Sequence, residues 1–272
     1  MKEFREYHKK NAGIFLKIDK ILFNKNSKFQ KILLFENKDF GKVLALDNFL
    51  MLTEKDEYFY HEAIVHPALS LIKNPEKVLI IGGGDGKTVY EVLKHGVKEI
   101  NLVEIDEEVI KISEKNFKWG KVFKNKKVKI FVQDAYEFVK RINEKYDLII
   151  GDFPDPVGPA KKLYEKEFYL NIKRILKKKG ILVIQAESPI YHKEIQRKIY
   201  NEIKEIFKIC KFYFSPAPTY PGGVWLYLFA SDFYNPLKSK IKREIKNLKF
   251  YSKKIHKAIF EIGEILYEVP GI

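Results

Sequence analysis

Two periods of hydrophobicity divide the chain. Over residues 1–53 apolar and polar positions alternate, the pattern of strands with one buried face. The runs 14–18, 29–35, 43–46 and 49–52 are expected to be short strands, broken at 24–27, 37–41 and 47–48. They predict a small antiparallel β-domain over residues 1–55. Thr53-Glu54-Lys55-Asp56 is then expected to cap a helix carrying Tyr60, His61, Ile64 and Leu69. From Lys77 the pattern changes. Short apolar runs at 78–81, 100–104, 128–132, 148–152 and 181–186 predict buried parallel strands, with helical stretches at 88–94, 107–116, 136–143 and 166–177 between them. Such alternation predicts an α/β fold, a doubly wound parallel sheet with right-handed crossovers, over residues 56–272. A helix near 192–207 precedes runs at 209–215 and 224–230 that suit an antiparallel edge hairpin. Residues 233–272 suit a peripheral helix and tail.

Composition bounds the class. The 272 residues are 46% apolar, enough for one large domain with an appendage and too much for disorder. No stretch approaches the roughly 18 uninterrupted apolar residues of a membrane span. The first ten residues lack the apolar core of a signal peptide, and the one cysteine, Cys210, suits a reducing cytoplasm. A formal charge of +15, from 51 Lys and Arg against 36 Asp and Glu, would ordinarily suggest nucleic acid or an anionic membrane. The lysines are scattered, however, and runs such as Lys177-Lys178-Lys179 sit where helices are expected to end. With no RNA-binding signature and no basic arm, neither nucleic acid nor membrane is expected as a partner. Lys, Glu and Ile enrichment also matches a thermophile's composition.

The chemistry gathers at the C-terminal ends of the predicted parallel strands, where open α/β sheets bind ligands. Ile81-Gly82-Gly83-Gly84-Asp85-Gly86 is a strand entering a glycine-rich turn, with Lys87 where the last glycine of a full G-x-G-x-x-G would stand. Gly82 and Gly84 let backbone approach a ligand. Glu104 ends the next strand, where a carboxylate accepts the two ribose hydroxyls of a nucleoside. Gln133-Asp134-Ala135 follows the third strand and could meet an adenine edge, although helix capping would also explain Asp134. The fourth strand runs into Gly151-Asp152-Phe153-Pro154-Asp155-Pro156-Val157-Gly158-Pro159, two carboxylates in a proline-stiffened loop. Asp85, Asp152, Asp155 and Glu187, with Tyr60 and Tyr220, would make an acidic pocket with aromatic walls. Such a pocket attracts a polycation locally, because surface lysines are screened over about 8–10 Å.

These stretches closely resemble the spermidine synthase (polyamine aminopropyltransferase) family over nearly the whole length. The likeness rests on residues 52–62, on 79–86, on Val103-Glu104-Ile105-Asp106, on Asp155-Pro156-Val157-Gly158-Pro159-Ala160 and on Pro218-Thr219-Tyr220-Pro221, with Phe250-Tyr251 and Ile255-His256-Lys257-Ala258 near the end. The resemblance implies a Rossmann-like, class I methyltransferase-like domain that transfers an aminopropyl group from decarboxylated S-adenosylmethionine to putrescine or a related amine. Methylthioadenosine is the second product. By the same likeness Gln30, Gly82, Gly84, Glu104, Asp134, Ala135 and Pro159 hold the nucleoside. Tyr60, His61, Asp85, Asp155 and Tyr220 hold the amine, and Asp152 takes the proton. The sulfonium is a co-substrate, so no cofactor and no metal is implied; His66, His95, His192 and His256 show no metal-ligand spacing. A cytoplasmic homodimer or homotetramer built through the N-terminal strands is the expected assembly.

The sequence departs from the family's pattern at Met51 for Gln, at Phe153-Pro154 for two small residues, at Gly222 for Ser, and at Glu3 for an aromatic. All four are expected to bear on which amine fits, and Phe153-Pro154 to add bulk beside the base. Two other classes stay open at this point: a methyltransferase acting on a small molecule or RNA, and a non-catalytic polyamine- or nucleoside-binding protein.

Overall fold

The computed structural model describes residues 2–154 and 158–268. Asp155 lies outside the described residues, and so does the side chain of Pro159. The N-terminal region holds two antiparallel sheets, β1 (Glu3–Lys9) with β2 (Ala12–Lys17), and β3 (Lys20–Asn26), β4 (Lys31–Asn37), β5 (Gly41–Leu46) and β6 (Phe49–Thr53) in that order. Two of these strands were missed from sequence, each for a physical reason. In β1 the inward positions are Phe4 and the acidic Glu6, which accepts from Leu50 N at 2.7 Å. A carboxylate facing inward hides the alternation. Strand β3 lies at a sheet edge, is largely exposed and slips register between Ile21 and Phe23, so it lacks a clean period. Asp47 and Asn48, both at positive φ, turn β5 tightly into β6.

Helix α1 (Glu57–Leu69) follows and is buried on nearly every face. The expected side-chain cap is absent. Asp56 instead accepts from Thr53 Oγ1 at 2.5 Å and from Thr219 N and Oγ1 at 3.1 and 2.8 Å.

The C-terminal region is a seven-stranded mixed sheet. In chain order it comprises β7 (Lys77–Gly82), α2 (Lys87–Leu93), β8 (Glu99–Glu104), α3 (Glu107–Asn116), β9 (Val128–Val132), α4 (Ala135–Arg141), β10 (Tyr146–Asp152), α5 (Lys166–Ile175), β11 (Leu176–Gln185), α6 (Lys193–Lys204), β12 (Ile209–Pro216), β13 (Val224–Ser231) and α7 (His256–Glu268). Spatial order is β12-β13-β11-β10-β7-β8-β9, parallel from β11 to β9, with β12 and β13 antiparallel as the expected edge hairpin. Strand β11 starts directly after α5, earlier than expected. Its lysines had suggested a helix end, but Leu176 already pairs with Tyr146.

Alternate residues of the central strands feed two cores. Val78, Ile80, Leu148 and Ile150 pack toward α1 and α7, whereas Leu79, Ile81 and Ile149 pack toward α4, α5 and α6. Burial on both faces is why these strands lack a period of two. Strands β7 and β10 are neighbours although β7 continues in sequence to β8 on its other side. The chain thus diverges between them, and the crevice beyond their C-terminal ends is the place for a ligand.

Candidate active site

The turn after β7 brings backbone unusually close to the end of β10. Gly82 has φ +78°, and a Cβ there would lie 2.0 Å from the carbonyl oxygen of Asp152. No other residue allows that approach. Gly83 N donates to the same carbonyl at 2.9 Å. Asp152 is thereby fixed at the mouth of the crevice. Its Oδ1 accepts from Tyr60 of α1 at 2.7 Å and its Oδ2 from Thr88 of α2 at 2.6 Å. Burial, then the charge of Asp85, push the Asp152 carboxyl above its ordinary range, while His61 and the two hydroxyls oppose the shift.

Asp85 and His61 complete an acidic corner. His61 Nε2 lies 3.5 Å from Asp85 Oδ1, and Lys87 N donates to that oxygen at 2.7 Å. Burial works against ionised Asp85, but the imidazole and the Lys87 amide hold its carboxyl below the usual range. Atoms of His61, Asp85 and Asp152 lie within 4.8 Å of one another, the one such trio among the described residues. Two carboxylates with an imidazole, against tyrosine rings, suit an organic ammonium with a carbon chain. Tyr220 supplies a second wall. Its ring centroid is 5.7 Å from that of Tyr60 and 4.8 Å from that of Trp225, and its hydroxyl donates to the Met51 carbonyl.

The second half of the crevice lies beyond β8. Glu104 accepts from Gly84 N at 3.2 Å and Asp106 N at 2.9 Å. Burial raises its carboxyl to about 7, with backbone donors opposing and Asp106 adding to the shift. Gln30, from the N-terminal region, reaches across to donate to Asp106 at 2.9 Å. An open cavity of about 500 Å³ follows, lined by Phe29, Ile105, Asp106, Val132, Gln133 and Asp134 among others. Asp134 does cap α4, through Tyr136 N at 2.8 Å, using one carboxylate oxygen, and Ala135 is buried behind it. Sequence reasoning missed Thr88, which follows the turn, and Asp106, two residues after Glu104. Thr88 aims its hydroxyl back at Asp152, while Asp106 donates its amide to Glu104 and its carboxylate accepts from Ser27, Gln30 and the Glu108 amide, signals that only geometry reveals.

The four departures lie in different surroundings. Phe153 is buried, with its ring edge-on to Tyr164 at 5.2 Å and Phe168 at 6.3 Å. It follows Asp152 along an extended chain, so it points to the opposite face. Pro154 is exposed, and its carbonyl accepts from Tyr164. The expected bulk beside Asp152 is therefore not contributed by the Phe153 ring. Met51 packs against the cluster of Ile32, Leu34 and Leu52, and Glu3 pairs with Arg5 at 2.7 Å. Gly222 has φ +78° with a Cβ position 2.7 Å from Ile190, so glycine suits this turn where serine would strain it.

With this geometry in view, comparison with known proteins is direct. Residues 4–54 match a family described as spermidine synthase tetramerisation domain, and residues 57–239 match the spermine/spermidine synthase domain. A polyamine aminopropyltransferase of Methanocaldococcus jannaschii is 44% identical over 265 residues, covering 94% of this chain and 90% of the relative. That of Bacillus subtilis is 38% identical over 270 residues and covers 98% of both. A crystal structure of spermidine synthase with the transition-state analogue AdoDATO superposes at TM-score 0.91, with 36% identity and coverage of 97% and 93%. The Thermotoga maritima spermidine synthase superposes at 0.90, with 35% identity and coverage of 99% and 95%. The chain belongs to the spermine/spermidine synthase family.

Proposed function

We propose that this enzyme transfers the aminopropyl group of decarboxylated S-adenosylmethionine to putrescine or a related amine. The observation that carries the reading is the position of Asp152: fixed by Tyr60 and Thr88, beside the His61–Asp85 corner, at the β7/β10 crevice that continues to Glu104. Glu104 would accept the ribose hydroxyls, and Gln133, Asp134 and Ala135 would meet the adenine. Gln30, through Asp106, would brace that wall, and Gly82 and Gly84 would give the nucleoside room. Asp85 would hold the aminopropyl ammonium. Tyr60, His61 and Tyr220 would line the amine's path, with Asp155 and Pro159 assigned on resemblance alone.

The reaction then balances without another reagent. The amine nitrogen attacks the methylene bound to sulfur, the C–S pair returns to sulfur as the neutral thioether, and the new N–C bond leaves a proton that passes to Asp152. A primary amine sits roughly three pK units above neutrality, so baring its lone pair costs about 4–5 kcal/mol. A positioned carboxylate lowers that cost, and alignment of nitrogen, carbon and sulfur supplies much of the rest.

Asp152→Asn tests the assignment. Turnover is expected to fall by about 10²–10⁴-fold, with methylthioadenosine binding retained by calorimetry. Wild-type turnover confined to intact S-adenosylmethionine would instead point to methyl transfer, and no turnover at all to a binding protein. Rates with putrescine, cadaverine, agmatine and spermidine settle the acceptor.

We also propose a homo-oligomer built through the N-terminal sheets. The outward face of the β1–β2 hairpin presents Tyr7, 66% exposed, and Phe15, 62% exposed. The lone, half-buried Cys210 supports a cytoplasmic setting.

A further inference from the structure

Behind His61 runs a line of buried charge that the reaction as derived does not use. His61 Nδ1 lies 2.7 Å from the Glu57 carbonyl and 3.2 Å from Glu57 Oε2, while Nε2 faces Asp85. Glu57 Oε1 is 2.9 Å from Lys87 Nζ, which lies 3.4 Å from Glu91 Oε1. Glu91 Oε2 in turn meets Lys94 at 2.5 Å and His66 Nε2 at 2.9 Å. The helices α1 and α2 thus share an alternating ladder of charge, and His61, Glu57, Lys87, Glu91 and His66 are all buried.

The partners of His61 point one way. Nδ1 donates to the Glu57 carbonyl, which can only accept, and Nε2 faces Asp85 Oδ1 at 3.5 Å, a carboxylate held below its usual range. Hydrogen on both nitrogens, the imidazolium, is the form these neighbours favour. Burial alone would discharge it, and Glu57 is the one carboxylate that meets it from behind. Every charged or titratable group facing the ring enters this balance: Glu57 and Tyr60 on α1, Asp85 in the turn, Lys87 and Glu91 on α2, and Asp152 on β10. Burial lowers the value of His61, but Asp85 and then Glu57 outweigh it and place it at about 10.

We propose that Glu57, held by Lys87, is a positioning residue that keeps His61 an imidazolium beside Asp85 and Asp152. On the aminopropyl-transfer reading, the fixed positive charge has two effects. It holds down the proton affinity of Asp85 and opposes the rise at Asp152, and it favours proton loss from the entering ammonium.

The test is a titration of the full-length protein labelled with ¹³C and ¹⁵N in histidine, with His61 assigned through His61→Gln. The wild-type ring is expected to stay an imidazolium up to about pH 9, and Glu57→Gln to lower its midpoint by roughly one unit or more. Lys87→Arg, which keeps the cation, is expected to leave the midpoint in place. In Glu57→Gln the alkaline limb of kcat/KM for the amine, where the imidazolium is lost, should move down in pH with the ring's midpoint, with KM for the nucleoside co-substrate unchanged. A wild-type midpoint near 6.5, or one indifferent to Glu57→Gln, overturns the proposal. Should Glu57→Gln not fold, the wild-type midpoint alone decides. Absence of amine turnover in the wild type would overturn the activity reading instead, a distinct failure because the titration needs no substrate.

Discussion

Glu104 shows how one side chain ties pH to binding. Its carboxyl, raised to about 7 by burial from an ordinary value of 4.5, binds protons more tightly folded than unfolded. The empty protein therefore loses stability from this group as pH rises from about 4.5 through about 7. Ribose hydroxyls donate to the ionised form and would reverse that loss. Methylthioadenosine affinity is expected to rise with pH across the same window, and Glu104→Gln to flatten the dependence, as read by calorimetry. This residue was legible in sequence because a carboxylate at a strand end has one common use. Glu57 was not. It stands in the first turn of α1, and its meaning depends on Lys87, which a different helix brings to it.

Strand β10 carries the lesson of the elements. Asp152 and Phe153 are adjacent in sequence, yet one opens into the crevice and the other plugs the α4–α5 side of the core. The likeness flagged Phe153 as a change near the base, and sequence alone cannot show which way a residue turns beyond a strand's last pair. Phe153→Ala is expected to cost about 3–5 kcal/mol by leaving a cavity, while the ranking of acceptor amines stays as in the wild type. Urea unfolding and the amine panel check the two halves. The central strands and their helices were legible because burial on both faces leaves unbroken apolar runs. Strands β1 and β3 were not, since Glu6 faces inward and β3 lies exposed at an edge.

Across the whole molecule, the +15 charge pointed toward partners that the crevice does not resemble. Many of the lysines are spent in ion pairs, such as Lys77 with Glu99 and Lys129 with Glu99, both at 2.7 Å. The acidic corner is shielded from the rest and keeps its own local sign. No helix among the described residues is long and apolar enough to cross a membrane. The outward face of the β1–β2 hairpin exposes Tyr7 and Phe15 among charged side chains, and the proposed association rests on these two rings. Phe15→Glu is expected to lower the assembly state in sedimentation equilibrium, and a wild-type profile from that variant would move the interface elsewhere.

The contact of Asp56 with Thr219 gains weight at this scale. One carboxylate joins the end of β6, the start of α1 and the loop that bears Tyr220, so three separate walls of the crevice are pinned at one point. Ordering those walls would otherwise be charged against each binding event, at roughly 0.5–1.5 kcal/mol for every side chain immobilised. Here that entropy is already lost on folding. Along these three walls an entering amine is expected to meet preorganised surface.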